Sequence, residues 1–239
     1  PNTGVAFTGV SNGDVAWGDY DNDGDIDIAL TGAAGGVPYT TLYRNDFVTF
    51  TAMGMGLAAM MDSAVAWGDY DNDGDLDLAL AGFSGSAFQS KIYRNGATAP
   101  NTPPAAPMWS LPPTVSWNKM TFSWNPGTDI ETPQAGLSYN LRLGTAPGGQ
   151  DVTPAMADPT TGFRRVPALG NVQENLQWSV IVHVPGTYYV SVQTVDAALA
   201  GSPWASEQPV VVPPIPGDAD HDGSVDVGDL AILASNSGT

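Results

Sequence analysis

Cysteine is absent from this 239-residue chain. No disulfide framework and no thiolate metal site is therefore available, and rigidity must come from packing and bound ions. Basic residues are scarce as well: seven Lys and Arg stand against 25 Asp and Glu, for a formal charge of −18. Without a basic patch the chain is not read as a nucleic-acid binder. Histidine occurs twice, at His183 and His221. That leaves little for general acid–base or nucleophilic catalysis, and the chain is read as a non-enzyme. No apolar run reaches the roughly eighteen residues of a membrane helix. No signal-peptide pattern opens the chain, and a start at Pro1 instead of Met reads as a processed form or a fragment.

What the chain does have is acid, arranged twice in the same way. VAWGDYDNDGDIDIAL (Val15 to Leu30) returns as VAWGDYDNDGDLDLAL (Val65 to Leu80), identical at fourteen of sixteen positions. Carboxylates alternate around a central glycine: Asp19, Asp21, Asp23, Asp25 and Asp27, then Asp69, Asp71, Asp73, Asp75 and Asp77. Five anions in nine residues repel unless a cation sits among them. Calcium is a hard ion taking six to eight oxygens at about 2.3 to 2.6 Å, and loop positions 1, 3, 5, 7 and 9 can wrap it. Four of the five aspartates would offer side-chain oxygens, and Asp25 or Asp75, at position 7, its backbone carbonyl. Gly24 and Gly74, at position 6, would supply the sharp turn through positive φ. Magnesium demands a stricter octahedron, and zinc would want His or Cys, which neither loop has.

A third acidic loop, DADHDGSVDVGD, runs from Asp218 to Asp229. Its candidate ligands are Asp218, Asp220, Asp222, Ser224 through its carbonyl, Asp226 and Asp229, while His221 falls at a non-ligand position. Asp229 at position 12 can close an EF-hand-type loop, whereas the repeats carry Leu30 and Leu80 there. Leu230, Leu233 and Ala234 follow at helical spacing, while Ile26, Ile28 and Leu30 alternate as in a strand. The three loops hold fifteen of the 25 acids, leaving ten against seven bases. About three Ca2+ ions are expected, which would bring the net charge to about −12. Modules of this kind bind calcium at roughly 10⁻⁴ to 10⁻³ M, a concentration met outside the cell, so the expected location is extracellular or on the cell surface.

The repeat extends past the loops, since Leu42-Tyr43-Arg44-Asn45 returns as Ile92-Tyr93-Arg94-Asn95. A fifty-residue unit of short Gly-bounded strands points to propeller blades. Through WGDYDNDGDID and WGDYDNDGDLD with the YRN segments, residues 1–97 resemble the FG-GAP or VCBS calcium-binding repeats. The resemblance implies a β-propeller of about seven blades, of which two are present; two blades leave sheet edges open. GVAFTGVSNG, before the first loop, reads as the tail of a preceding unit.

Residues 98–107 form a Pro/Ala-rich linker. Beyond it, Met120, Phe122 and Trp124 share a face, as do Leu137, Tyr139, Leu141 and Leu143, then Leu176, Trp178, Val180 and Val182, then Tyr188, Val190 and Val192. These alternations predict a sandwich over 108–213. Through TFSW, LSYNLRLG and GTYYVSVQTVDA it resembles a fibronectin type III domain. Residues 214–239 resemble the first half of a type I dockerin. The expected fold class is thus all-β: two propeller-blade-like repeats, a fibronectin type III-like sandwich, and a short C-terminal calcium loop plus helix.

Trp17, Trp67, Trp117, Trp124 and Trp178 are read as packing residues, although the first two could form a sugar platform. His183 is read as a strand side chain, half exposed or hydrogen-bonded. Arg44 and Arg94 are read as structural partners of the acidic loops. Carboxylates committed to calcium are ionised and cannot donate protons, which argues against a glycosidase pair. The functional expectation is a secreted, calcium-stabilised structural or adhesive protein acting through protein partners. Self-association into an extracellular filament or surface layer is its extension, and a glycan is a further candidate ligand. The competing expectation is an accessory binding or anchoring region of a larger secreted glycan-degrading enzyme.

Overall fold

The computed structural model describes residues 5–47, 49–71, 73–96, 101–164, 166–219, 225–227 and 229–230. It is nearly all β, built from antiparallel sheets. Among the described residues no helix is long and apolar enough to cross a membrane, which says nothing of a membrane β-barrel.

The first repeat is a meander of β1 (Val15–Gly18), β2 (Asp27–Ala34), β3 (Val37–Asn45) and β4 (Phe50–Met53). The second is β5 (Met61–Gly68), β6 (Asp77–Phe83) and β7 (Phe88–Tyr93). Each acidic loop is the hairpin connection between the first two strands of its sheet. The strand pairs close on Gly18↔Asp27 and Gly68↔Asp77, so the loop ends are held by the ladder.

The sheets stack face to face, and their shared core buries the Ala29 face of β2. Val65, Trp67, Leu78 and Leu80 of the second sheet pack on Ala29 and Leu42 of the first. Alternation puts Ala16, Ala29 and Leu42 on the side of the first sheet that receives the second. Polar bonds cross the same seam: Trp67 Nε1 donates to the Ala16 carbonyl at 3.3 Å, and Ser63 Oγ to Thr31 Oγ1 at 2.7 Å.

Of the stretch GVAFTGVSNG, expected to read as the tail of a preceding unit, residues 5–13 pack on the first repeat itself. Phe7 meets Tyr43 and Phe50 edge-on, and Thr8 N donates to Tyr43 Oη. Fifty residues on, Ala58 N makes the same bond to Tyr93 Oη. The structural unit therefore starts before each loop, at the segment that caps the third-strand tyrosine.

Strands β8 (Trp109–Ser116), β9 (Lys119–Trp124), β10 (Ser138–Gly144), β11 (Gln177–Ile181), β12 (Gly186–Val195) and β13 (Gln208–Val212) form two further three-stranded sheets, ordered β11-β9-β8 and β10-β12-β13. Met120, Phe122, Trp124, Tyr139, Leu141, Leu143, Val190 and Val192 are buried between them, in the alternation expected. Three tryptophans depart from the packing expectation, and one of them, Trp17 on β1, is exposed. Trp117 sits in the β8–β9 turn with φ 57° and points to solvent. Trp178, with Leu176 beside it, is exposed because β11 is an edge strand. His183 lies in the turn after β11, not in a strand.

Candidate metal centres

The loop sequence folds by using its own carboxylates as caps. Asp19 accepts the N–H groups of Asp23 and Gly24, at 3.1 and 2.9 Å, and the glycine turns at φ +88°. Asp27, the first residue of β2, accepts Tyr20 N at 2.9 Å through one oxygen and Asn45 N at 2.7 Å through the other. The second loop repeats the pattern: Asp69 on Asp73 and Gly74, Asp77 on Tyr70 and Asn95, with Gly74 at φ +94°. Charge-assisted bonds of this kind fix the first and ninth loop positions before any ion binds.

The outcome is two clusters. One carboxylate oxygen each of Asp19, Asp21 and Asp27 lies within 4.8 Å of the others, and the same holds for Asp69, Asp71 and Asp77. The carboxylates of Asp23 and Asp25, with those of Asp73 and Asp75, are not among these clusters, and Asp25 and Asp75 were expected to offer their backbone carbonyls. Asp23 Oδ1 and Asp73 Oδ1 instead accept the N–H of Asp25 and Asp75. Asp75 Oδ1 is also engaged across the seam by Asn22 Nδ2 at 2.8 Å.

The electrostatics of the first cluster are those of crowded, buried anions. Burial, followed by the neighbouring carboxylates, pushes Asp27 up to about 7, against the N–H bonds from Asn45 and Tyr20. Burial likewise lifts Asp19 to about 6, and Asp21 is raised by burial and by Asp23. Asp21 Oδ1 and Asp71 Oδ1 are buried and accept no hydrogen bond from the described residues. A buried carboxylate oxygen without a donor is costly, and a divalent cation would supply what is missing. The donor set, all oxygen on a turn that permits wrapping, fits calcium; Asp19, Asp21 and Asp27, with Asp69, Asp71 and Asp77, would hold it.

The two arginines behave differently. Arg94 reaches into the second loop, with Nε 2.5 Å from Asp71 and Nη2 2.8 Å from Asp73. Arg44 instead pairs with Asp46 at 3.0 Å. Residues that sequence reasoning passed over are Asn45 and Asn95. Each donates its side-chain amide to the loop, to Ile26 O and Leu76 O at 3.2 Å, and Asn95 also to Tyr20 O across the seam. Their recurrence in the YRN segments was the signal.

Of the third loop, Asp220, Asp222 and Ser224 lie outside the described residues. Asp229 is buried and accepts Ala219 N and Asp226 N through its two oxygens, tying the loop's end to its start. Val227, Asp229 and Leu230 are helical.

No curated protein matches this chain. Among solved structures, a beta-1,2-glucanase from Parabacteroides distasonis aligns at 14% identity over 84% of this chain and 27% of that one, with a TM-score of 0.32. The chain thus spans 27% of that protein's length, and at that TM-score the likeness bears on neither fold nor function. A family model does match within the loops and strands just described: residues 19–80 are similar to the FG-GAP-like repeat.

Proposed function

We propose that this chain is a secreted, calcium-stabilised structural or adhesive module that acts through protein–protein contacts and not through catalysis. The observation that carries this reading is the twofold convergence of three carboxylates, one of them in each loop with a buried oxygen that accepts no hydrogen bond from the described residues. Its placement outside the cell and its contact-making role rest on the FG-GAP-like repeat. Calcium cancels the carboxylate repulsion and fastens β1 to β2 and β5 to β6. Because the ion binds the folded loops and not the unfolded chain, folding becomes metal-linked. In this reading the fibronectin type III-like sandwich is a spacer, and the dockerin-like loop with Asp218, Asp226 and Asp229 takes a third ion.

Thermal melting with calcium and with EGTA tests it. The melting temperature should fall by about 10 °C on chelation, from the linkage of two sites filled well above their dissociation constants. An unchanged melting temperature would sink the reading. The competing reading, an accessory region of a larger secreted glycan-degrading enzyme, is favoured only by the loop that Asp229 closes. A hydrolase domain in the same open reading frame would support it.

A further inference from the structure

The two repeats differ most in what covers their faces. In the first, Ala29 and Leu42 on β2 and β3 are buried under the second repeat. Their counterparts fifty residues on, Ala79 and Ile92, are exposed, Ile92 at 62%. On the opposite side the inequality reverses. Val65 and Trp67 are buried in the seam, Trp67 at 8%, whereas Val15 and Trp17 stand exposed, Trp17 at 59%. The chain therefore carries one unused copy of each half of an interface that it builds internally.

We infer that the Val15/Trp17 face of one copy of this chain docks on the Ala66/Ala79/Ile92 face of a second copy, repeating head to tail the contact that joins the two repeats within the chain. The room is present. A Cβ on Gly18 would come within 2.7 Å of the Trp67 ring, so that ring occupies the space glycine leaves. A Cβ on Gly68 would meet only Pro167 Cβ at 3.8 Å, an ordinary contact, so no ring fills the corresponding space. It opens into a cleft of about 480 Å³ lined by Ala66, Gly68, Ile92, Pro167 and Leu199.

Bonding groups match as well. Trp67 Nε1 donates to Ala16 O, and Trp17 Nε1 would donate to Ala66 O. Met60 N donates to Thr40 Oγ1, for which Val10 N and Ser90 Oγ are the counterparts. Ser63 and Thr31 bond across the internal seam, and their counterparts Gly13 and Ala81 both lack the hydroxyl, so neither is left unpaired in the new one. The two surfaces are different patches of the chain, so each copy uses one and offers the other. Such heterologous contacts grow into rings or open filaments. The proposal rests on the contact-making reading above and supplies its partner, a second copy.

Sedimentation velocity and light scattering in millimolar calcium test it with the wild-type chain, Trp17→Glu and Ile92→Glu. Both substitutions fall on exposed side chains and should leave the melting temperature near wild type. The wild type should associate as concentration rises, while each variant alone stays monomeric. Trp17→Ala should weaken association about thirtyfold or more, as expected for an interface anchor. Mixing the two variants should give a one-to-one dimer that grows no further, because one keeps the docking face and the other keeps the tryptophan. A wild type that stays monomeric, a Trp17→Glu chain that associates like wild type, or a mixture that remains monomeric overturns the proposal. A monomeric wild type that still loses stability in EGTA removes the docking alone. Association and stability both indifferent to EGTA leave the docking standing and remove the calcium reading.

Discussion

The loops at Asp19 and Asp69 share nearly every residue yet occupy different environments. In the first, Tyr20 is 9% exposed and Gly24 is pressed so close to the Glu131 carbonyl that a Cβ there would lie 1.9 Å from it. In the second, Tyr70 is 55% exposed and the nearest atom to a Cβ on Gly74 is Asn101 O at 3.9 Å. Arg94 neutralises part of the second cluster, while the first has only the more distant field of Arg44. Repetition thus sets the same local geometry twice, and the neighbours decide how much each anion pays in desolvation. The sandwich covers the first loop, and the first sheet covers the second sheet's tryptophan.

The largest way to break this comparison is to remove one loop at a time. Asp19→Ala loses a candidate calcium ligand and two loop bonds, one of them buried, and should cost about 3 to 5 kcal/mol in calcium. Asp69→Ala, at the more open site, should cost less. Calorimetric or denaturant unfolding of both variants reads the difference, and equal losses would show that burial of the first loop does not matter. Gly18→Ala forces a methyl against the Trp67 ring and should destabilise by about 1 to 3 kcal/mol. Gly68→Ala, which meets only an ordinary contact with Pro167, should fall within about 0.5 kcal/mol; a reversed order in urea titrations would contradict the seam.

A smaller effect is set by pH. In EGTA, Asp19 and Asp27 have folded-state values near 6 and 7, above the ordinary 3.8, as does Asp196, pushed up to about 7 by burial. The folded state then binds more protons than the unfolded chain between about pH 4 and 7, so stability should fall as pH rises through that window. Calcium competes with those protons and should reverse the slope. Melting temperatures across the window, with and without calcium, check both signs, and Asp27→Asn should flatten the calcium-free curve. The smallest expected effect is at Arg94. Arg94→Gln should raise calcium affinity at the second loop a few-fold by removing a competing cation, while Arg44→Gln should leave the first nearly unchanged. Isothermal titration with calcium distinguishes them.

Much of this was legible in the residues. Alternation at Met120-Phe122-Trp124 and Leu137-Tyr139-Leu141-Leu143 reported buried faces because a strand has a period of two whatever it packs against. Gly24 and Gly74 were legible because a turn with positive φ favours glycine. Trp17 was not, since its surroundings depend on which sheet lies over it. The grouping of the carboxylates was only partly legible: spacing shows which of them can converge, and backbone N–H donors engage Asp23 and Asp73 in the folded loops. Trp178 was misread because alternation does not reveal that a strand is at an edge.

By itself, then, the sequence determined what is local: two acidic hairpin loops with their turning glycines, an all-β chain, and oxygen donors suited to a hard divalent ion. Tertiary structure decided what is relational. It buried Trp67 and exposed Trp17, raised the Asp27 carboxyl by covering it, and left the face of Ala79 and Ile92 open. The reason is physical: dihedral preferences and side-chain spacing act over a few residues, whereas desolvation depends on whatever surface arrives from elsewhere in the fold.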